Sequence, residues 1–170
     1  HSDGEVICHL YHEYGDDLFG HLDGMFAIAL WIKSDRKLFL ARDIPGEKPL
    51  YYLQPQSGEL AFSSEIKSFR HHPYFNLTLD YQALWDFPTF LWVPQPATVY
   101  QEVKALPRGH RLVMTELGCE IKPYPNLFQM SSLPSVDKKM MVRETVEEAV
   151  SSRLLSEVPI GCFLSGGLDS

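Results

Sequence analysis

Six residues, SGGLDS at Ser165–Ser170, follow directly on the apolar run IGCFL, Ile160–Leu164. An apolar strand closed by paired glycines ahead of a new helix leaves backbone N–H groups that the helix cannot use internally, and such a turn attracts anions. Gly166 and Gly167 permit close approach and unusual dihedral angles, and the hydroxyls of Ser165 and Ser170 can donate two further hydrogen bonds to phosphate oxygens. Asp169 beside an anion requires a divalent cation between the two, which points to a nucleotide carried as its magnesium complex. The lysine and spacing of a G-x-x-x-x-G-K-S/T phosphate loop are absent, and so is a dinucleotide fingerprint. A plainer reading competes: a tight connection in which Ser and Asp cap the next helix. Strand, caps and glycines taken together favour the phosphate reading.

Other residues with chemical potential read differently. His9, His12 and Glu13, in HLYHE, sit close together on a helix but lack the HExxH or HxxEH order and a third ligand, which makes them surface residues and not a zinc site. Arg42, Asp43 and Lys48, in ARDIPGEKPLYY, are expected to build a tight turn between strands and its interface with a partner domain, with no chemistry of their own. Trp31, Tyr51, Tyr52, Trp85 and Trp92 fall within strand and helix patterns, where core packing is the default account.

The elements that must position these residues are legible in outline. At 170 residues and 45% hydrophobic, the chain can bury a core as one domain or parts of two. Ser2 and Glu5 form an S-x-x-E capping box ahead of Val6, Ile7, Leu10, Tyr11 and Tyr14 at helical spacing, and Gly15 stops the pattern. FAIALWI, KLFLA, LYYL and ELAFSS are short apolar runs parted by turn residues, an antiparallel meander whose connections are too short for crossover helices. Met25–Ile32 has little polar alternation, so both its faces are expected to be covered by a layered sheet. A short helix at Glu65–Phe69, an Asp80-capped helix ending at Pro88, a proline-stiffened VPQPAT loop and a hairpin of HRLVMT and CEIKPY follow. Periodicity lapses over Pro125–Ser135, which places a domain boundary there. After Asp137, the residues Met141, Thr145, Val146, Ala149, Val150 and Leu154 recur on one helical face. Pro159 ends that helix, and IGCFL reads as a fully buried strand opening a parallel α/β sheet.

Composition narrows the partners. Lys+Arg number 15 against 22 Asp+Glu, for a net charge of −7, and no basic stripe is dense enough to track a phosphate backbone, so nucleic acid is not an expected partner. The longest apolar run is far short of the roughly twenty residues that cross a bilayer, so no membrane is expected either. Cys8, Cys119 and Cys162, widely spaced among apolar neighbours, suit buried thiols in a reducing compartment, and the chain reads as cytoplasmic. A start at His1 without a leader pattern, and an end inside a glycine turn, read as a segment of a longer protein.

SGGLDS after an apolar strand resembles the pyrophosphate loop of the ATP-pyrophosphatase superfamily, and VPIGCFLSGGLDS as a whole is similar to the opening of the synthetase domain of the glutamine-hydrolysing asparagine synthases. Upstream, SDGEVICHLYHEYGDDLFGHLDGMFAIALW, LFLARDIPGEKPLYY, FSSEIKS, VPQPATVY and LPRGHRLV resemble, in the same order, stretches in the later half of that family's N-terminal glutaminase domain. The resemblance implies an α+β fold: the later part of a layered antiparallel N-terminal-nucleophile glutaminase domain, followed by the first helix and strand of a parallel α/β ATP-pyrophosphatase domain. It implies residues 1–124 as the C-terminal part of the glutaminase, 125–136 as a linker and 137–170 as the start of the ATP-binding domain.

Site residues follow from the same resemblance. SDGEV matches the family's SDxEV motif and implies that Asp3 binds the α-amino group of substrate glutamine; its charge also favours a helix N-terminus, and both roles can hold. Leu164, Ser165, Gly166 and Gly167 are implied at the adenine nucleotide, with Asp169 and Ser170 near pyrophosphate and magnesium. The family's nucleophilic N-terminal cysteine and its NGEIYN-like segment have no counterpart in these residues, so the 170 residues alone are expected to be inactive. The parent is implied to take glutamine, ATP, magnesium and aspartate, and to amidate an acyl-adenylate with ammonia passed inside the protein. Another carboxylate acceptor, in a sugar acid, peptide or natural-product precursor, is the alternative reaction, and a non-catalytic binding or scaffold module is the alternative of a different class.

Overall fold

The computed structural model describes residues 4–54, 58–73, 78–124, 138–154 and 156–167. Ser2, Asp3, the stretch 125–136 expected as a linker, Asp169 and Ser170 lie outside the described residues.

Strand β2 (Lys37–Arg42, KLFLAR) has no polar face and so needs cover on both sides. It pairs antiparallel with β1 (Ala27–Ile32) and with β6 (His110–Thr115), and β6 pairs with β7 (Gly118–Pro123), in the order β1-β2-β6-β7. On one face of this sheet Phe39 and Ala41 meet Leu18, Phe19 and Tyr124, all buried. Leu18 and Phe19 come from a 3₁₀ helix, Gly15–His21, that follows helix α1 (Glu5–Tyr14); α1 adds Ile7, Leu10 and Tyr11 to the same cluster. On the other face Leu40 and Leu112 meet Leu50 and Leu106. Those last two flank a second antiparallel sheet, β4-β3-β5, made of β3 (Tyr51–Leu53), β4 (Ala61–Ser63) and β5 (Val103–Ala105). Beyond it Leu53 and Val103 pack with Phe69 of the 3₁₀ helix Ile66–His71. Helix, sheet and sheet are therefore stacked, with β2 in contact with both apolar layers.

Several expectations change. Every pairing is antiparallel, but the meander is divided: β1–β2 and β3–β4 are hairpins of different sheets, and β6 is the second neighbour of β2. Two-sided cover falls to β2 and not to Met25–Ile32. Because β1 ends its sheet, only Ile28, Leu30 and Ile32 face an apolar cluster, while Ala27, Ala29 and Trp31 stay exposed. Helix α1 starts at Glu5 with Gly4 at its N-cap position; a glycine is unfavourable inside a helix, and the helix begins just after it, while the expected Ser2–Glu5 box involves Ser2, which lies outside the described residues.

Of the aromatics expected to pack in the core, Trp31, Trp85 and Trp92 are instead 55%, 75% and 57% exposed, whereas the half-buried Tyr51 packs on the Leu53–Phe69–Val103 cluster and Tyr52 on the Leu40–Leu50–Leu106–Leu112 cluster. Helix α2 (Tyr81–Phe90) buries Ala83 alone and turns its aromatics outward. Cys8 and Cys162 are exposed and Cys119 is half-buried, so the three thiols are not the buried set expected; Cys8 lies off the α1 face that carries Ile7, Leu10 and Tyr11. In α2 the expected cap forms, Asp80 Oδ1 accepting from the Ala83 N–H at 3.1 Å. The helix nevertheless runs past Pro88, whose ring removes one N–H donor without preventing the last turn. It stops at Leu91, held at φ 61° with its N–H donated to the Phe87 carbonyl at 2.7 Å.

The chain forms two compact units, His1–Gln129, just described, and Met130–Ser170. The second unit contributes helix α3 (Lys138–Ser152), with an Arg143–Glu147 ion pair of 2.7 Å on its surface. The expected strand at 160–164 is absent: these residues carry no ladder, and Ile160, Phe163 and Leu164 are exposed. A strand exists only through bonds to a neighbouring strand, and no described residue supplies them.

Leu91 pays the usual penalty of an L-residue in the left-handed region, roughly 1 kcal/mol, and its side chain is 81% exposed. Leu91→Gly is therefore expected to stabilise the protein by up to about 1 kcal/mol in urea unfolding, with the slope unchanged. A lower midpoint would show that the Leu91 side chain contributes more than its backbone costs.

Candidate functional site

Of the residues expected at a nucleotide, Leu164, Ser165, Gly166 and Gly167 are described, and chain continuity brings them together. Gly166 has φ +77°, and a Cβ built there would meet nothing within 4 Å. A side chain at Gly166 would thus be opposed by backbone conformation and not by crowding. A reversal of this kind can turn successive N–H groups toward one side, as an anion site requires. Asp169, Ser170 and the glutamine-binding candidate Asp3 fall outside the described residues.

The densest polar construction lies elsewhere, at the end of β2. Arg42 is 4% exposed and Asp43 fully buried. The Arg42 guanidinium donates through Nε to the Lys48 carbonyl at 2.8 Å, through Nη1 to Gln95 Oε1 at 2.8 Å and the Leu106 carbonyl at 2.9 Å, and through Nη2 to the Gly46 carbonyl at 2.8 Å. The Asp43 carboxylate accepts the N–H groups of Glu47 at 2.7 Å, Lys48 at 3.0 Å and Phe26 at 3.1 Å. Burial by itself would raise the Asp43 carboxyl, but the N–H donors of Lys48, Glu47, Phe26 and Gly46 outweigh it and hold the group below its ordinary value. The Tyr124 hydroxyl donates to the Arg42 carbonyl, and burial pushes its own ionisation well above the ordinary range, so it stays a donor. The sequence reading of Arg42 and Asp43 as builders of a turn is what these bonds describe. Lys48 takes part through its backbone, its side chain being exposed.

This corner shapes a cleft of about 760 Å³ lined by Ile44, Pro45, Gly46, Trp92, Pro96 and Arg108, among others. Gly46, at φ +77°, would be strained with any side chain, and an added Cβ would press on Arg108 Cβ at 3.0 Å and lie 3.4 Å from Arg42 Nη2. The cleft is apolar with a cationic group at Arg108 and the His110 imidazole beside it, a surface suited to binding. Sequence reading missed it, because its walls come from three separated segments. The one visible signal was the proline content of VPQPAT.

Among the described residues no group of three His, Cys, Asp or Glu side chains could hold a metal, and His9, His12 and Glu13 are exposed on α1. No described helix is long and apolar enough to cross a membrane.

Residues 1–125 match the family model described as a glutamine amidotransferase domain, and residues 141–170 match the one described as asparagine synthase. The chain is similar to glutamine-hydrolyzing asparagine synthetase 3 of Bacillus subtilis (strain 168), at 36% identity over 99% of this chain and 28% of that protein. It is similar to asparagine synthetase 1 of the same organism at 34% identity, over 99% of this chain and 27% of that protein. To asparagine synthetase 2 of Oryza sativa subsp. japonica the identity is 35%, over 99% and 24%. The chain thus spans about a quarter of the length of these relatives.

Asp43→Asn would set an amide N–H₂ against backbone N–H donors and is expected to cost about 2–3 kcal/mol in urea unfolding at pH 7. The Asp43 contribution is complete above the ordinary carboxyl value of 3.8 and is lost as pH falls from there through the lower folded-state value. The unmodified protein should therefore lose stability in that acid range by more than Asp43→Asn does. Parallel acid profiles would assign the acid sensitivity to other carboxylates.

Proposed function

The chain belongs to the glutamine amidotransferase domain family, whose model matches residues 1–125, and on that footing we propose that it is part of a glutamine-hydrolysing asparagine synthetase. The observation that carries the proposal is the tandem order of two family matches, an amidotransferase domain and then an asparagine synthase domain from residue 141. In this reading 1–124 are the later part of the glutaminase, 125–136 the linker and 137–170 the start of the ATP-binding domain. Glutamine gives ammonia in the first domain, and the ammonia amidates aspartate in the second. Free thiols at Cys8, Cys119 and Cys162 support a reducing, cytoplasmic setting.

Residue roles follow from the motifs. Asp3 holds the α-amino group of glutamine by charge. Leu164, Ser165, Gly166 and Gly167 hold the adenine nucleotide, with Asp169 and Ser170 beside pyrophosphate and magnesium. The positive φ and open surroundings of Gly166 suit such a loop. Bound there, magnesium ATP supplies an activated acceptor carboxylate and a stable leaving group. The amides of the turn contribute by stabilising charge on the departing pyrophosphate.

The test is aspartate-dependent exchange of pyrophosphate into ATP by the intact polypeptide. Gly166→Val is expected to lower exchange by at least about tenfold, which corresponds to about 1.4 kcal/mol of lost stabilisation. Unchanged exchange in that variant would overturn the nucleotide assignment, and exchange driven by a different carboxylate would replace aspartate as the acceptor. The 170-residue chain alone is expected to release no ammonia from glutamine above a heat-killed control.

A further inference from the structure

Apolar packing holds helix α1 down on the sheet without fixing its direction. None of its residues is fully buried, and Ile7, Leu10 and Tyr11 are the ones that pack, half-buried, on the cluster of Leu18, Phe19, Phe39 and Ala41. Apolar contact is non-directional, so it leaves the axis of the helix open to small tilts. At its C-terminal end the chain turns at Gly15, φ 56° and ψ −131°, into the 3₁₀ helix Gly15–His21. A Cβ at Gly15 would meet nothing within 4 Å. Glycine tolerates a wide range of dihedral angles, so the backbone alone does not set the angle of this joint.

Side chains on either side of the joint close it. Lys37 of β2 donates through Nζ to both Asp16 oxygens, at 3.0 and 3.1 Å, with its own side chain 20% exposed. Its ammonium also stands 5.3 Å from the centroid of the Phe39 ring. Arg111 of β6 pairs more loosely with Asp17, Nη2 to Oδ1 at 3.5 Å. Two adjacent acids thus tie the 3₁₀ helix to two different strands, through charge-assisted contacts that have the direction apolar packing lacks. An aromatic stack carries the constraint across Gly15. The Tyr14 ring, in the last turn of α1, lies on the His21 ring with 3.7 Å between centroids and 21° between planes. Tyr14 is absent from the core cluster beneath α1, so its ring serves the stack and not the interior.

We infer that Lys37, Asp16, Tyr14 and His21 are positioning residues for glutamine: this clamp sets the axis of α1 and, through it, the place of Asp3, two residues ahead of the helix in the sequence. The inference deepens the functional reading above and rests on its assignment of Asp3 to the α-amino group of glutamine. A ten-residue helix is about 15 Å long. A tilt of about 5° at Gly15 therefore moves the far end by about 1 Å, a misplacement that can cost up to about 100-fold in activity. The α-amino group is remote from the side-chain amide that is cleaved, so Asp3 holds it alike in ground and transition states. A displaced Asp3 then raises KM and spares kcat.

Steady-state kinetics of the intact polypeptide test this, with glutamine and, separately, with free ammonia as the nitrogen source. Lys37→Met is expected to raise KM for glutamine at least about fivefold while kcat stays within about twofold. Ammonia-driven synthesis should be unaffected, because free ammonia bypasses the glutaminase. Lys37→Arg, which keeps a cation able to meet both Asp16 oxygens, is expected to restore most of the lost affinity. Tyr14→Leu removes the stack at a residue that is 39% exposed, and is expected to raise KM without moving the urea midpoint. An unchanged KM in Lys37→Met and Tyr14→Leu overturns the inference. So does a fall in kcat alone, or an equal loss with either nitrogen source, since each marks a merely structural role. Failure of the functional reading is visible in the unmodified intact protein, as no ammonia released from glutamine, and takes the clamp with it; failure of the clamp alone is visible only in the variants.

Discussion

The fold turns on two adjacent buried charges, Arg42 and Asp43. Taking such groups out of water costs several kcal/mol each unless their hydrogen-bonding capacity is met. Here the partners are almost entirely backbone: three carbonyls and one amide oxygen for Arg42, three N–H groups for Asp43. Each bond fixes main chain, so a single corner holds the start of β1, the turn at 46–48, the loop at 95 and the chain at 106 in one geometry. The Asp43 carbonyl extends the network by accepting from Gly46 and Gly109. The charges satisfy dipoles and not one another, which makes the arrangement specific to this backbone path.

From that corner the layering follows. β2 enters it with Phe39 and Ala41 on one face and Leu40 on the other, so both apolar clusters are anchored to the same strand. Interiors are close-packed and transmit small displacements. A shift at Arg42 would reach the helical layer through β2 and the second sheet through Leu106. Gly46 shows how tight the join is, because even a methyl group would press on Arg108. The cleft beside it inherits its shape from the same bonds.

Much of this was legible in the sequence where local chemistry decides the outcome. Asp80 capped its helix, the HRLVMT–CEIKPY hairpin formed, and a helix begins after Asp137 as its spacing required, because caps, turns and periodicity act over a few residues; that helix ends at Ser152, short of Leu154 and of the stop expected at Pro159. The misreadings share a cause. Apolar character in Met25–Ile32, Trp85 and Trp92 announces a need for cover without saying whether the cover lies in these residues. The position of β1 at a sheet end, and the outward face of α2, depend on which strands and helices become neighbours, which periodicity does not encode. IGCFL is the clearest instance: its composition suits a buried strand, but a strand requires a ladder. Of the candidate site, the glycine turn was visible as a motif, whereas the Arg42 network depends on Gln95, Leu106 and Tyr124, partners more than fifty residues distant.

Tyr124 ends the path of β7, and its side chain is latched to the Arg42 carbonyl while its N–H donates to Gly109 at 2.9 Å. The ring also packs against Phe19 and Phe26. A hairpin strand pulled from its free end ordinarily unzips one bond at a time. With this residue wedged into the core, tension arriving along the polypeptide from 125 onward meets the middle of the sheet first, and several bonds must yield together. The domain is thereby mechanically anchored at the point where its chain departs.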